Sequence, residues 1–143
     1  MKRAFIAATF LLSLSFLSVC AQNKPDTIDS WHVLYNYKVI ATFNPSTATP
    51  FVTLRIQTIL AKDMLSVEYA CDTPCKHCRT DLYVREDSLK RIEIAKGKGN
   101  SKPLKAPVVK LFNLWKARNY KPLDIFYVDD RRNRYIFQLT FSN

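Results

Sequence analysis

From Trp31 to Phe43 every odd position (Trp31, Val33, Tyr35, Tyr37, Val39, Ala41, Phe43) is apolar and most even positions are polar, with Leu34 and Ile40 the exceptions. Successive side chains of an extended chain point to opposite faces, so this period of two predicts a strand with one face buried. The pattern recurs. After a break at Asn44-Pro45-Ser46-Thr47 and Pro50 the phase is Val52, Leu54, Ile56 and Leu60; after Ala61-Lys62-Asp63 it is Leu65, Val67 and Tyr69. Those two runs predict a hairpin closed by a short polar turn. Leu82 with Val84 and Ile92 with Ile94 predict two shorter strands on either side of Glu86-Asp87-Ser88. Leu123, Ile125 and Tyr127 lead into Asp129-Asp130-Arg131-Arg132-Asn133-Arg134, and Tyr135, Phe137, Leu139 and Phe141 follow, which predicts a closing hairpin. One stretch departs from the rule. Pro107 fits the first turn of a helix that places Val108, Leu111, Phe112 and Trp115 on one face, with Lys116 and Arg118 near the negative end of its dipole, so residues 107–118 are expected to be helical. About seven strands with turns roughly every ten residues predict a mainly β fold, an antiparallel sandwich or open barrel with one short helix in the C-terminal half.

The N-terminus reads as an address. Lys2 and Arg3 precede a run from Ala4 to Val19 broken only by Thr9, Ser13, Ser15 and Ser18, and Gln22-Asn23-Lys24-Pro25-Asp26 then turns polar. Such a run makes ~24 Å of helix, short of the ~30 Å hydrocarbon core. A secretory signal peptide over residues 1–21 is expected, cut between Ala21 and Gln22. Leu17-Ser18-Val19-Cys20 also resembles the lipobox of bacterial lipoproteins, which implies acylation at Cys20 as the alternative, although Val19 stands where that pattern has a small residue. Either route takes the chain out of the cytosol, to the periplasm or beyond. Removing the first 21 of 143 residues leaves 122, which suits one domain. Residues 22–30 are expected as a flexible mature N-terminus and 31–143 as that domain, with no transmembrane span. Apolar residues at 48% exclude a disordered chain, and 24% charged residues exclude a multi-span membrane protein.

Cys71-Asp72-Thr73-Pro74-Cys75-Lys76-His77-Cys78 packs three thiols into eight residues and is the most conspicuous chemistry in the chain. The C-x3-C-x2-C spacing resembles the motif of radical S-adenosylmethionine enzymes, which implies a [4Fe-4S] cluster. The resemblance stops at those eight residues, because such enzymes need a far longer chain with glycine-rich strands and this one has two glycines. Cys75-Lys76-His77-Cys78 after an apolar strand resembles thioredoxin-like oxidoreductases, which implies a redox pair at Cys75 and Cys78, a helix starting at the thiols and a cis-proline loop, for which Ala106-Pro107 is the candidate. Arg79-Thr80-Asp81-Leu82-Tyr83-Val84-Arg85 alternates as a strand instead. Cys71, Cys75, His77 and Cys78 have the donor types for zinc, but eight contiguous residues wrap a tetrahedral ion poorly. A haem attachment pattern fails at Arg79. The structural alternative is a disulfide: if residues 64–70 and 79–85 pair as a hairpin, Cys71 and Cys78 face each other at its end. A bridge between them closes an eight-residue loop worth ~2.5 kcal/mol, and leaves Cys75 odd; bridges 71–75 and 75–78 remain open.

Charge is concentrated. The chain carries +10 overall, and residues 90–121 hold ten bases against Glu93 alone. Lys96-Gly97-Lys98-Gly99-Asn100-Ser101-Lys102-Pro103-Leu104-Lys105 reads as a flexible, solvated loop. Lys96, Lys98, Lys102 and Lys105 are the candidates for anion binding, with the segment 96–121 facing lipid head groups, lipopolysaccharide or acidic glycans. The loop has no interleaved aromatics for base stacking, so nucleic acid is not expected, and Gly97-Lys98-Gly99 is no P-loop. His32 and His77 are isolated, Asp129-Asp130 reads as a charged turn, and no hydrolytic motif occurs. Asp26-Thr27-Ile28 and Asp87-Ser88-Leu89 resemble a short O-glycosylation pattern. Three function classes follow: a non-enzymatic exported domain stapled by Cys71–Cys78 and binding another envelope component, a thiol-disulfide redox protein using Cys75 and Cys78, and an anion-binding envelope module. No cofactor or metal is expected.

Overall fold

A computed structural model describes residues 29–86, 90–130 and 132–143. The expected leader, Cys20 and both glycosylation-like tripeptides lie outside those residues. Nine strands and one helix are described: β1 (Ser30–Tyr35), β2 (Lys38–Phe43), β3 (Phe51–Arg55), β4 (Met64–Ala70), β5 (Arg79–Arg85), β6 (Arg91–Lys98), β7 (Leu104–Pro107), α1 (Val108–Ala117), β8 (Leu123–Asp129) and β9 (Asn133–Ser142). They form two sheets, ordered β2-β1-β4-β7 and β3-β9-β8-β5-β6. All pairings are antiparallel except β3 with β9, which run parallel. The fold is mostly β with one helix, as expected, and its two open sheets suit a sandwich.

The sheets meet through aromatic contacts. Phe43 of β2 stacks on Phe137 of β9 with centroids 5.6 Å apart, and Tyr69 of β4 meets Tyr127 of β8 at 5.2 Å. Between them Val33, Val67, Val84, Leu82, Ile125 and Leu139 are buried. Helix α1 opens at Pro107, within a residue of the expected start, and buries Val108, Leu111 and Trp115; Phe112 and Trp115 both pack on Phe141. Burying each such side chain is worth ~1.5–3 kcal/mol.

Several expected pairings are different in the fold. The alternating run 31–43 is a hairpin and not one strand, turning at Asn36 and Tyr37, whose φ values of 47° and 70° give the mirror-image turn that matches strand twist. A two-residue turn alone would align odd positions of one arm with even positions of the other. A bulge between Val33 and Leu34 shifts the register by one, so Trp31 faces Phe43 and Val33 faces Ala41, while nearer the turn Leu34 faces Val39, and Val39 and Tyr37 are exposed. The hairpin expected from 52–60 and 65–69 does not form: β3 crosses to the second sheet beside β9, while β4 lies between β1 and β7. Likewise β4 and β5 belong to different sheets. The stretch expected as a flexible loop at 96–105 contributes the end of β6 and the start of β7, and Asp29, expected in a flexible N-terminus, is buried.

Candidate functional site

Because β4 already has β1 and β7 on its two edges, and β5 has β6 and β8, residues 71–78 connect one sheet to the other. Cys71 and Cys78 therefore do not face each other across a ladder. The expected Cys71–Cys78 bridge is not formed in this structure, where Cys71, Cys75 and Cys78 are all free thiols. The extended backbone expected after Cys78 is present, since β5 begins at Arg79, and there is no cis peptide bond among the described residues.

What shapes the cysteine loop is the turn after β6. Gly99 N–H donates to the Cys78 carbonyl at 2.8 Å and Asn100 N–H to the Cys75 carbonyl at 3.0 Å. The Asn100 side chain completes the clasp: Oδ1 accepts from Cys75 N–H at 2.7 Å and Nδ2 donates to Cys71 Sγ at 3.3 Å. Thr80 Oγ1 donates to the Gly99 carbonyl at 3.2 Å. Gly99 has φ +78°, and a Cβ there would stand 3.0 Å from the carbonyl oxygens of Cys75 and Lys76, so no larger residue fits without strain.

Within this frame the thiols are unequal. Cys78 N–H donates to Cys75 Sγ at 2.8 Å, and Cys78 Sγ lies 3.7 Å from the Cys75 carbonyl oxygen. Cys78 is buried at 6% exposure, whereas Cys75 is half-buried. The Cys78 side chain, together with the backbone N–H groups of His77 and Cys78, holds the Cys75 thiol below its ordinary pKa. Burial, and then the neighbouring Cys75, pushes Cys78 up to about 11. A thiolate is the nucleophile in sulfur exchange, so the pair divides into an accessible attacking sulfur and a buried one behind it.

A cavity of about 140 Å³ opens beside the thiols, and Cys71, Cys75 and Cys78 all line it. Asp29 closes one side, accepting from Arg132 Nη1 at 2.7 Å and Arg134 Nη1 at 2.8 Å on one oxygen. Arg132 also lies 3.3 Å from the Tyr69 hydroxyl. Asp129 and Asp130 contribute from the β8–β9 turn, where the Asp129 and Arg132 backbones bond each other, so the expected charged turn is present and borders this cavity.

The four lysines singled out for anion binding lie on β6, on β7 and in the turn between them. Lys96 and Lys98 stand on β6, with Lys96 Nζ 3.5 Å from Glu93, while Lys105 is on β7 with its Nζ 4.9 Å from the Tyr37 ring centroid. Lys102 lies in the exposed turn between them. Among the described residues no three Cys, His, Asp or Glu side chains converge as metal ligands, and no helix is long and apolar enough to cross a membrane. Sequence reasoning missed Asp29, Asn100 and Arg132. Only Asn100 carried a local signal, as the residue after a glycine in a turn-forming stretch. No protein-family model, curated protein or solved structure matches this chain.

Proposed function

We propose that this chain is an exported β-sandwich domain that exchanges disulfides through Cys75 and Cys78. The observation that carries the reading is the 2.8 Å hydrogen bond from Cys78 N–H to Cys75 Sγ, which favours a thiolate at the accessible member of a pair whose second member is buried. A strand after the pair replaces the helix dipole that such thiols often use; here local N–H groups supply the stabilisation. In the reaction, Cys75 thiolate attacks one sulfur of a partner disulfide, that S–S bond breaks, and one partner thiolate leaves. Cys78 then loses its proton to solvent and attacks Cys75 Sγ, the mixed disulfide breaks, and the second partner thiolate leaves. The protein ends as a Cys75–Cys78 disulfide, and its two electrons have reduced the partner disulfide to two thiols. The leader-like N-terminus agrees with an oxidising location in which such a couple is turned over.

The test is to equilibrate the purified mature chain in graded glutathione buffers, trap thiols by alkylation and map the bonds by mass spectrometry. A Cys75–Cys78 bridge that forms and opens reversibly across those buffers is the expected result. A Cys71–Cys78 bridge indifferent to glutathione overturns the proposal and returns the chain to the stapled, non-enzymatic envelope reading.

A further inference from the structure

We propose that the end of the sandwich formed by the β1–β2 turn and the loop before β4 docks on an anionic lipid bilayer. The inference stands apart from the exchange reading. Among the described residues seven large apolar side chains are markedly exposed, and four of them belong to this end: Tyr37 at 77%, Leu60 at 57%, Val39 at 50% and Ile40 at 42%. Hydrogen bonds hold the two segments together, because Asn36 N–H donates to the Met64 carbonyl at 3.0 Å and Asp63 accepts from both Asn36 Nδ2 and Leu60 N–H. Ile40 and Arg55 border one open cleft of about 220 Å³ with Tyr35, which is itself bonded to Asp63.

The charge around this apolar tip has one sign. Lys38, Arg55 and Lys62 are exposed and make no ion pair among the described residues. Lys105 joins them, with its Nζ 4.9 Å from the Tyr37 ring centroid. From Ser30 to Val67 the only acid is Asp63, which is buried and bonded. Apolar bulk inside a ring of cations matches a bilayer whose anionic head groups overlie acyl chains. A second copy seated on the same patch would set these cations against their own kind.

The turn is an independent sign. Asn36 and Tyr37 have φ values of 47° and 70°, in the turn type for which Asn-Gly is favoured, and a bulky side chain is strained there. Tyr37 holds the position that glycine would fill without strain, yet its exposure means that the fold gains little from it. A tyrosine ring suits the head-group level of a bilayer. Strand β4 leads from this end, at Met64, to Ala70 beside the cysteine loop, roughly 20 Å further on. Docking at the tip therefore holds Cys75 clear of the lipid.

The experiment titrates the chain from Gln22 onward, which lacks the apolar leader and Cys20, with vesicles of phosphatidylcholine alone and of phosphatidylcholine mixed with phosphatidylglycerol. Bound protein is measured by sedimentation, and folding of each variant by a denaturant melt. Binding to the mixed vesicles only is expected. Lys38→Gln, Arg55→Gln and Lys62→Gln together should weaken it by roughly a hundredfold, and Lys96→Gln, Lys98→Gln and Lys102→Gln together by far less. Tyr37→Gly should weaken it several-fold while leaving the unfolding midpoint unchanged or raised, so its loss of binding is not a loss of fold. Equal binding to neutral vesicles, no binding to either, a Tyr37→Gly chain that binds like the parent, or an equal loss from the Lys96, Lys98 and Lys102 set overturns the inference. So does a dimer of the parent that Tyr37→Gly dissolves, which would assign the patch to a second copy.

Discussion

Two polar clusters sit within the same sandwich, one around Asp63 and one around Cys75, and they are finished to different degrees. Asp63 is 2% exposed, and every polar atom it has is partnered. Oδ1 accepts from Asn36 Nδ2 at 2.8 Å; Oδ2 accepts from Leu60 N–H at 2.7 Å and from the Tyr35 hydroxyl. Its own N–H donates to Leu60 and its carbonyl accepts from Val108 N–H at 2.9 Å. These bonds tie the β1–β2 turn, the approach to β4 and the start of α1 to one residue. The Leu60 N–H first, and then Tyr35 and Asn36, hold that carboxyl below the usual range, while burial and then Asp63 push Tyr35 up to about 12. The cavity at Cys75 has the opposite character, with three free thiols and several carboxylates around an open space. Fully satisfied buried polarity fixes a fold; polarity left incomplete beside a void leaves room for another molecule.

That contrast can be broken most severely by exchanging the fates of the two sites. Cys75→Ser should lower the rate of disulfide exchange by roughly a hundredfold or more while shifting stability by less than about 0.5 kcal/mol. Asp63→Ala should do the reverse, lowering the unfolding midpoint while leaving exchange per folded molecule unchanged. Denaturant melts alongside stopped-flow rates read both, and a Cys75→Ser chain that unfolds early would show the thiol loop to be scaffold. Next in size, Gly99→Ala should cost about 1–3 kcal/mol, because a positive φ and two carbonyl oxygens oppose its Cβ; a variant as stable as the parent in chemical denaturation would contradict the clasp.

Acid sharpens the comparison further. The folded pKa of Asp63 lies below its unfolded value, so its contribution is complete above the ordinary carboxylate range near about pH 4 and disappears as pH falls through the folded value. Melting points measured from neutral pH downwards should fall in that window for the parent. Asp63→Asn should start lower at neutral pH and lose less on acidification. The smallest effect is at the thiols: alkylation of Cys75 should reach half its maximal rate at a lower pH than a free cysteine does, with Cys78 unreactive until far more alkaline conditions. Equal titration of the two would remove the asymmetry on which the exchange reading depends.

Much of the local structure was legible. The spacing of Val108, Leu111 and Trp115 marked α1, and the alternation from Arg79 to Arg85 marked β5, because each depends on which side of its own backbone meets a core. Partner choice was not legible in the same way. Val52 and Leu54 alternate equally well beside β4 or beside β9, and only the completed second sheet makes the parallel pairing with β9 the one that buries them. The thiol site divides along the same line. Cys75 and Cys78 were visible by spacing, whereas the Asn100 clasp spans 25 residues and Asp29 meets Arg132 across 103.

The sequence by itself determined a mainly β chain with one amphipathic helix, and three thiols followed by an extended segment, because periodicity and spacing are properties of neighbouring residues. The tertiary structure alone decided that the cysteine segment bridges two sheets, that Cys78 lies against Cys75 and not across from Cys71, and that carboxylates from distant strands border the sulfurs. Those outcomes depend on which strand edges are already occupied, and edge occupancy is settled only when both sheets close over a common core.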